Sequence, residues 1–237
     1  RIREEFVEKF AQQKDRLNKA KYKDMTFTED EVKANKIFMD IVNEARHLLK
    51  GFEFFSGDFK KEVESSHLYE IFSEMPKASL HHIHLGSIVP ASWFYEIAIR
   101  DEGVIVNFET QKVKYRLNNN DPEYKSVKEL YKKAPDKAAF RQKVEALFQM
   151  STEEFKGLRS WDLMMRKYGN RAQICDLTKY AEEYIIEACL ILIKEKFINV
   201  QLKVLHGFFR DENGVFLDSE AEMKIIQSAY SKIKAQH

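Results

Sequence analysis

Only two stretches of this 237-residue chain, residues 79–84 and 198–205, read as strands suited to a parallel sheet. Each is followed by helical periodicity, and over a hundred residues separate them. Parallel strands need a long crossover, and the strand-helix-strand-helix order predicts a parallel α/β architecture.

The rest reads mainly as helix. Ile2, Phe6 and Phe10 recur on one face. Thr28-Glu29-Asp30-Glu31 has the form of a capping box. Behind it Val32, Ile37, Phe38, Ile41, Val42, Ala45, Leu48 and Leu49 make a wide apolar stripe. Gly51 and Gly57 bracket a loop, and one further helix is expected over residues 58–73, stopping before Pro76. A helix through Trp93, Phe94, Ile97 and Ile99 follows the first strand. Val104, Val106 and Phe108, then Val113, Tyr115 and Leu117, alternate with polar residues and predict a β-hairpin turning near Thr110 and Gln111. Residues 125–168 read as helix broken at Pro135 and Gly157, and 177–196 as one long helix with Tyr180, Tyr184, Ile185, Ala188 and Ile191 inward. Residues 211–214 make a turn, and 219–234 an amphipathic helix. This organisation gives an N-terminal helical arm (1–57), the segment around the first strand (58–100), an inserted module (101–150) and a continuation through the second strand (151–237).

Charged residues are 32% of the chain yet cancel to a net charge of +1, and the Lys-rich stretches are interleaved with Asp and Glu. They read as solvated helix faces, so neither nucleic acid nor an anionic membrane is expected as a partner. The most apolar stretch, 185–200, is too short and too charged to span a bilayer. Cys175 and Cys189 form no disulfide framework, and no Asn-x-Ser/Thr acceptor occurs. Both points favour a cytoplasmic protein, with secretion as the alternative. The chain opens on Arg1 with nothing like a signal peptide, and its natural N-terminus is expected upstream.

The chemistry concentrates in Met75-Pro76-Lys77-Ala78-Ser79-Leu80-His81-His82-Ile83-His84. Side chains alternate along a strand, so His82 and His84 share a side. Two imidazoles so placed can hold a divalent metal, usually zinc. The plain alternative is a set of structural histidines. His81 faces the other way with Ile83 and is a structural or metal-supporting residue. His47 and His67 fall on helices as surface or interface residues, and His206 ends the second strand. No phosphate loop, Ser-His-Asp set or cytidine-deaminase zinc signature occurs.

Met75-Pro76-Lys77 followed by Leu80 and His82-Ile83-His84 resembles the first motif of the adenosine deaminase family, closest to its growth-factor branch, the adenosine deaminase 2 type. That branch also carries a helical dimerisation arm and a module inserted after the first barrel strand, so the resemblance spans nearly the whole chain. It implies a partial (β/α)8 barrel, represented here by its first two strands, with a catalytic zinc at the C-terminal mouth. It makes His82 and His84 two zinc ligands, a purine nucleoside the substrate, and the N-terminal helices the site of a homodimer or of an assembly partner, with their apolar stripe buried against either a twin subunit or the barrel itself. Trp161, in Ser160-Trp161-Asp162, is similar to a family tryptophan near the ribose pocket, with a core or interface tryptophan as the alternative.

In the family, further groups complete the reaction: a His-Ala-Gly-Glu run, a following His and a Ser-Asp-Asp run. None occurs here, so the catalytic groups and the rest of the barrel are expected outside this chain. Leu85 stands where the growth-factor branch has an Asp, and Val204 and His206 where the family has Glu-x-Arg. These departures keep a second expectation open: a catalytically inactive, deaminase-like barrel serving as a structural or binding component of a larger assembly.

Overall fold

The structure, a computed structural model, describes residues 8–14, 16, 25–46, 57–116, 121–157, 159–204 and 206–236. Ile2, Phe6, His47, Leu48, Leu49, Gly51, Leu117, Leu205 and His237 lie outside the described residues. The chain divides into two compact units, Arg1–Lys50 and Gly51–His237.

In the first unit, α1 (Glu29–Ala45) starts at the capping box read from sequence. The Thr28 hydroxyl accepts from the Glu31 N–H at 3.3 Å, and the Glu31 carboxylate accepts from the Thr28 N–H at 2.7 Å. The apolar stripe is narrower than expected. Phe38, Ile41 and Val42 are partly buried and Ala45 is buried, while Val32 and Ile37 are exposed. At about 100° per residue, Val32 stands more than a quarter-turn off the buried face and Ile37 at its edge.

In the second unit the expected single helix over 58–73 is two, α2 (Gly57–Glu64) and α3 (His67–Glu74). The hydroxyls of Ser65 and Ser66 donate to the carbonyls of Glu62 and Val63, and the Ser66 oxygen accepts from the Tyr69 N–H. Serine side chains that bond nearby backbone end one helix and cap the next. α3 stops at Met75, in the extended conformation that Pro76 requires of its predecessor.

Strand β1 (Leu80–His84) leads through a 3-10 turn (Leu85–Ser87) to α4 (Ala91–Arg100). Next comes an antiparallel sheet of β2 (Val104–Asn107), β3 (Lys112–Tyr115) and β4 (Lys125–Ser126), in the order β3-β2-β4. The hairpin expectation holds: the Asn107 side chain accepts from the N–H groups of Glu109 and Thr110, and Gln111 takes a φ of 54°. β4 was expected as helix. Two residues carry no periodicity, and Ser126 also caps the helix that follows.

Four helices come next: α5 (Val127–Lys133), α6 (Lys137–Glu145), α7 (Thr152–Lys156) and α8 (Ser160–Cys175). They are followed by α9 (Thr178–Lys194), β5 (Val200–Lys203) and α10 (Ser219–Gln236). β1 pairs parallel with β5, as the element order predicts. Leu80 sits opposite Val200 and Ile83 opposite Leu202, so β1 holds one extra residue in a bulge. β5 is shorter than the expected 198–205 and only partly buried. The unit is thus a helix-rich, mixed α/β fold with one parallel pair and one small antiparallel sheet, and no closed barrel forms among the described residues. No described helix is long and apolar enough to cross a membrane.

The core lies between α4, α8, α9 and the antiparallel sheet. Phe94 stacks on Phe148 with centroids 5.1 Å apart, and Tyr184 packs against Trp93 and Phe94. Each fully buried aromatic contributes about 2–3 kcal/mol. Asn170 of α8 ties helix to sheet: its side chain accepts from the Val113 N–H and donates to the carbonyls of Gln111 and Leu147.

Candidate functional site

Because β1 and β5 run parallel, their C-terminal ends meet at one edge, and a cavity of about 290 Å3 opens there. His84, Leu85 and Gly86 line it from the end of β1, Lys203 and Val204 from β5, and Phe208 and Phe209 from the loop beyond. The opposite wall is one face of α8, with Met165, Tyr168, Arg171, Ala172 and Cys175, together with Asp176 and, from α9, Tyr184.

His82 and His84 come together. Their Nε2 atoms are 3.1 Å apart, with ring centroids at 4.9 Å and the rings edge to face. Both residues are exposed, with Ile83 between them partly buried. Two nitrogen ligands at about 2.0–2.1 Å from one tetrahedral zinc stand roughly 3.3–3.4 Å apart. The separation therefore suits a shared ion as well as it suits a hydrogen bond between the rings. Among the described residues no cluster of three or more His, Cys, Asp or Glu converges, so this pair offers two ligands of a possible set.

The turn behind His84 is held from three sides. The buried Tyr184 hydroxyl donates to the Leu85 carbonyl at 2.9 Å. Arg171 donates from Nε to the Phe148 carbonyl, and from one terminal nitrogen to the carbonyls of Val89 (2.8 Å) and Gly86 (3.4 Å). Burial draws the Arg171 pKa below its ordinary value. At Gly86 a β-carbon would stand 2.5 Å from the Tyr168 phenol oxygen, so this position has room only for glycine while Tyr168 keeps its place.

Asp176 caps the C-terminal end of α8 and faces the cavity. Burial pushes its carboxyl up to about 6; the Cys175 thiol and the Arg210 guanidinium pull the other way, and the Glu222 charge adds to the rise. Burial also raises the Cys175 thiol well above its usual value.

Glu222, in the first turn of α10, is buried. Its carboxylate accepts from the backbone N–H groups of Gly207, Phe208 and Phe209 at 2.9–3.0 Å, and His206 Nδ1 stands 3.4 Å away. Burial opposes its charge, but these donors outweigh burial and hold its carboxyl below the ordinary range. Gly207 takes a φ of 80°, which turns the three N–H groups toward one acceptor. Glu222 thereby fixes the loop that carries Phe208 and Phe209 into the cavity wall.

The other sequence candidates lie apart. Trp161 is 68% exposed, on the α8 face that continues through Met165 and Tyr168 but beyond the cavity lining. His81 is exposed, and His67 is an exposed first residue of α3. Sequence reasoning passed over Arg171, Asp176 and Glu222, and read Tyr184 only as an inward residue of its helix. The spacing of Met165, Tyr168, Ala172 and Cys175 was the available signal, since it marks one helix face.

Compared with models of known protein families the chain matches none, and no curated protein matches it.

Proposed function

We propose that this chain is the metal-holding part of a zinc-dependent deaminase that converts a purine nucleoside, adenosine, to inosine. In this reading β1 and β5 are the first two strands of a (β/α)8 barrel, and the cavity at their C-terminal ends is part of its active-site mouth. The single observation that carries the proposal is the 3.1 Å approach of the His82 and His84 Nε2 atoms, with His84 bordering that cavity.

When bound, zinc supplies a polarised water that is nucleophilic near neutral pH. His82 and His84 would hold it. Tyr184 and Arg171 would keep the following turn, and with it His84, in position beside the cavity. Leu85, Val204, Phe208 and Phe209 give that cavity apolar walls suited to the faces of a purine ring and to excluding bulk water. In this proposal the remaining ligands and the proton-transfer groups come from polypeptide beyond these 237 residues.

A second reading is a non-catalytic, deaminase-like scaffold. Leu85 and Val204 favour it, since both put aliphatic side chains in the cavity where the resemblance implies acids. The natural full-length polypeptide separates the two. Zinc near one per chain, adenosine loss abolished by a chelator, and loss of both in His82→Ala and His84→Ala support the enzyme. Well-folded protein without zinc or turnover leaves the scaffold.

A further inference from the structure

The carboxylate of Asp176 sits where a folded protein has little reason to place one. It lies at the C-terminal end of α8, where the helix dipole disfavours negative charge. It is partly buried in the cavity wall, and Glu222 adds a second negative charge nearby. The donor on its oxygens is the Cys175 thiol, a weak one, at 3.5 Å. Arg210 is the cation that offsets it electrostatically, yet that guanidinium bonds to Gln173 at 2.9 Å and leaves its Nε buried without a partner. The backbone at this position is fully engaged: the Asp176 N–H donates to the carbonyls of Ala172 and Ile174, and its carbonyl accepts from the Arg210 N–H. The main chain is thus fixed, while among the described residues the side chain takes that thiol as its donor and borders the cavity. A carboxylate placed at a cost to stability, in a cavity and with a weak donor, is the arrangement found where a ligand supplies further donors.

We infer that Asp176 anchors the cavity's ligand by accepting hydrogen bonds from it, and so selects a neutral nucleoside through its hydroxyl or amino donors. The inference rests on the nucleoside reading of the cavity, but not on catalysis. It assigns to this chain's own Asp176 the polar contact that Leu85 and Val204 do not provide. Asp176 is then a specificity-determining residue, and the aliphatic pair is a wall against which the base lies.

The test measures binding of adenosine, purine riboside (which lacks the amino group) and 2′,3′-dideoxyadenosine (which lacks the hydroxyls) to the full-length protein. Wild type is compared with Asp176→Asn, which keeps the shape and replaces one acceptor oxygen by a donor. Wild type is expected to bind adenosine about tenfold or more tightly than one of the two analogues. The variant is expected to lose that preference, with zinc content unchanged and an unfolding midpoint at neutral pH no lower than wild type. The analogue that is discriminated against tells which donor Asp176 receives. An unchanged preference in Asp176→Asn overturns the inference, as does a wild-type protein that binds no nucleoside. If Asp176-dependent binding appears while adenosine is never deaminated, the deaminase reading falls and this inference stands.

Discussion

The hydroxyl of Tyr184 donates to the carbonyl of Leu85 at 2.9 Å, across 99 positions of sequence and inside the core. This bond joins the middle of α9 to the residue that follows His84. Tyr184→Phe keeps the ring packing against Trp93 and Phe94 and leaves the Leu85 carbonyl without this donor. A buried acceptor left unsatisfied costs about 1–3 kcal/mol. Urea denaturation of the variant is expected to show a loss in that range, and under the proposed function zinc affinity is reduced as well, because His84 is less firmly placed. A variant as stable as wild type would contradict this account of the turn.

Gly86→Ala is expected to act on the cavity. The new methyl would meet the Tyr168 phenol oxygen at 2.5 Å and its Cζ at 2.8 Å, so the ring must leave its place in the cavity wall. Overpacking of this kind costs about 1–3 kcal/mol. Tyr168→Phe removes the nearer of the two atoms. Combined with Gly86→Ala it is expected to cost less than the sum of the single changes, which a double-mutant cycle on unfolding free energy reads directly. Simple additivity would show that the two residues do not compete for space.

For Asp176 the pH dependence follows from a carboxyl raised to about 6 in the folded protein, against about 3.9 when unfolded. The folded state holds the proton more tightly, so this group's contribution is favourable at low pH and declines as pH climbs between those two values. Asp176→Asn removes the titration. The variant is expected to be more stable than wild type at pH 7.5, by on the order of 1–3 kcal/mol, with the gap closing near pH 4. Denaturant midpoints at the two pH values check this, and equal stability at pH 7.5 would show that the carboxylate is not strained.

Glu222 has the opposite sign. Backbone donors hold its carboxyl below the ordinary range, so its contribution is present above about pH 4.3 and is lost as pH falls through the folded value. Glu222→Gln sets an amide against three backbone N–H groups that now share a charged acceptor. Hydrogen bonds to charged groups contribute about 1.5–3 kcal/mol each, and the variant is expected to lose at least about 2 kcal/mol at neutral pH. Faster hydrogen exchange at Gly207, Phe208 and Phe209 would locate the loss in the loop.

Local chemistry was open to reading along the chain. The Thr28 capping box, the stop before Pro76 and the hairpin alternation depend on neighbours within a few residues or on a simple period, and the parallel pair followed from the order of elements. The meeting of His82 and His84 also depends on a simple period, since a two-residue step on a strand returns to the same side. Signals failed where one residue serves two roles. Ser66 suits a helix interior and a cap, and its hydroxyl bonds chose the cap. Ser126 belongs to a two-residue strand and to a helix start.

By itself the amino-acid order determined that this chain is mixed α/β, that two imidazoles stand together, and the approximate bounds of α9 and α10. Tertiary structure alone decided that His84, Tyr168, Asp176 and Val204 border one cavity. It also decided that Asp176 and Glu222, alike as acidic residues on paper, have their acidity moved in opposite directions. The reason is range. Caps and strand alternation are settled by atoms a few bonds apart, whereas a carboxyl's acidity depends on whichever donors and low-dielectric neighbours the fold delivers from distant positions.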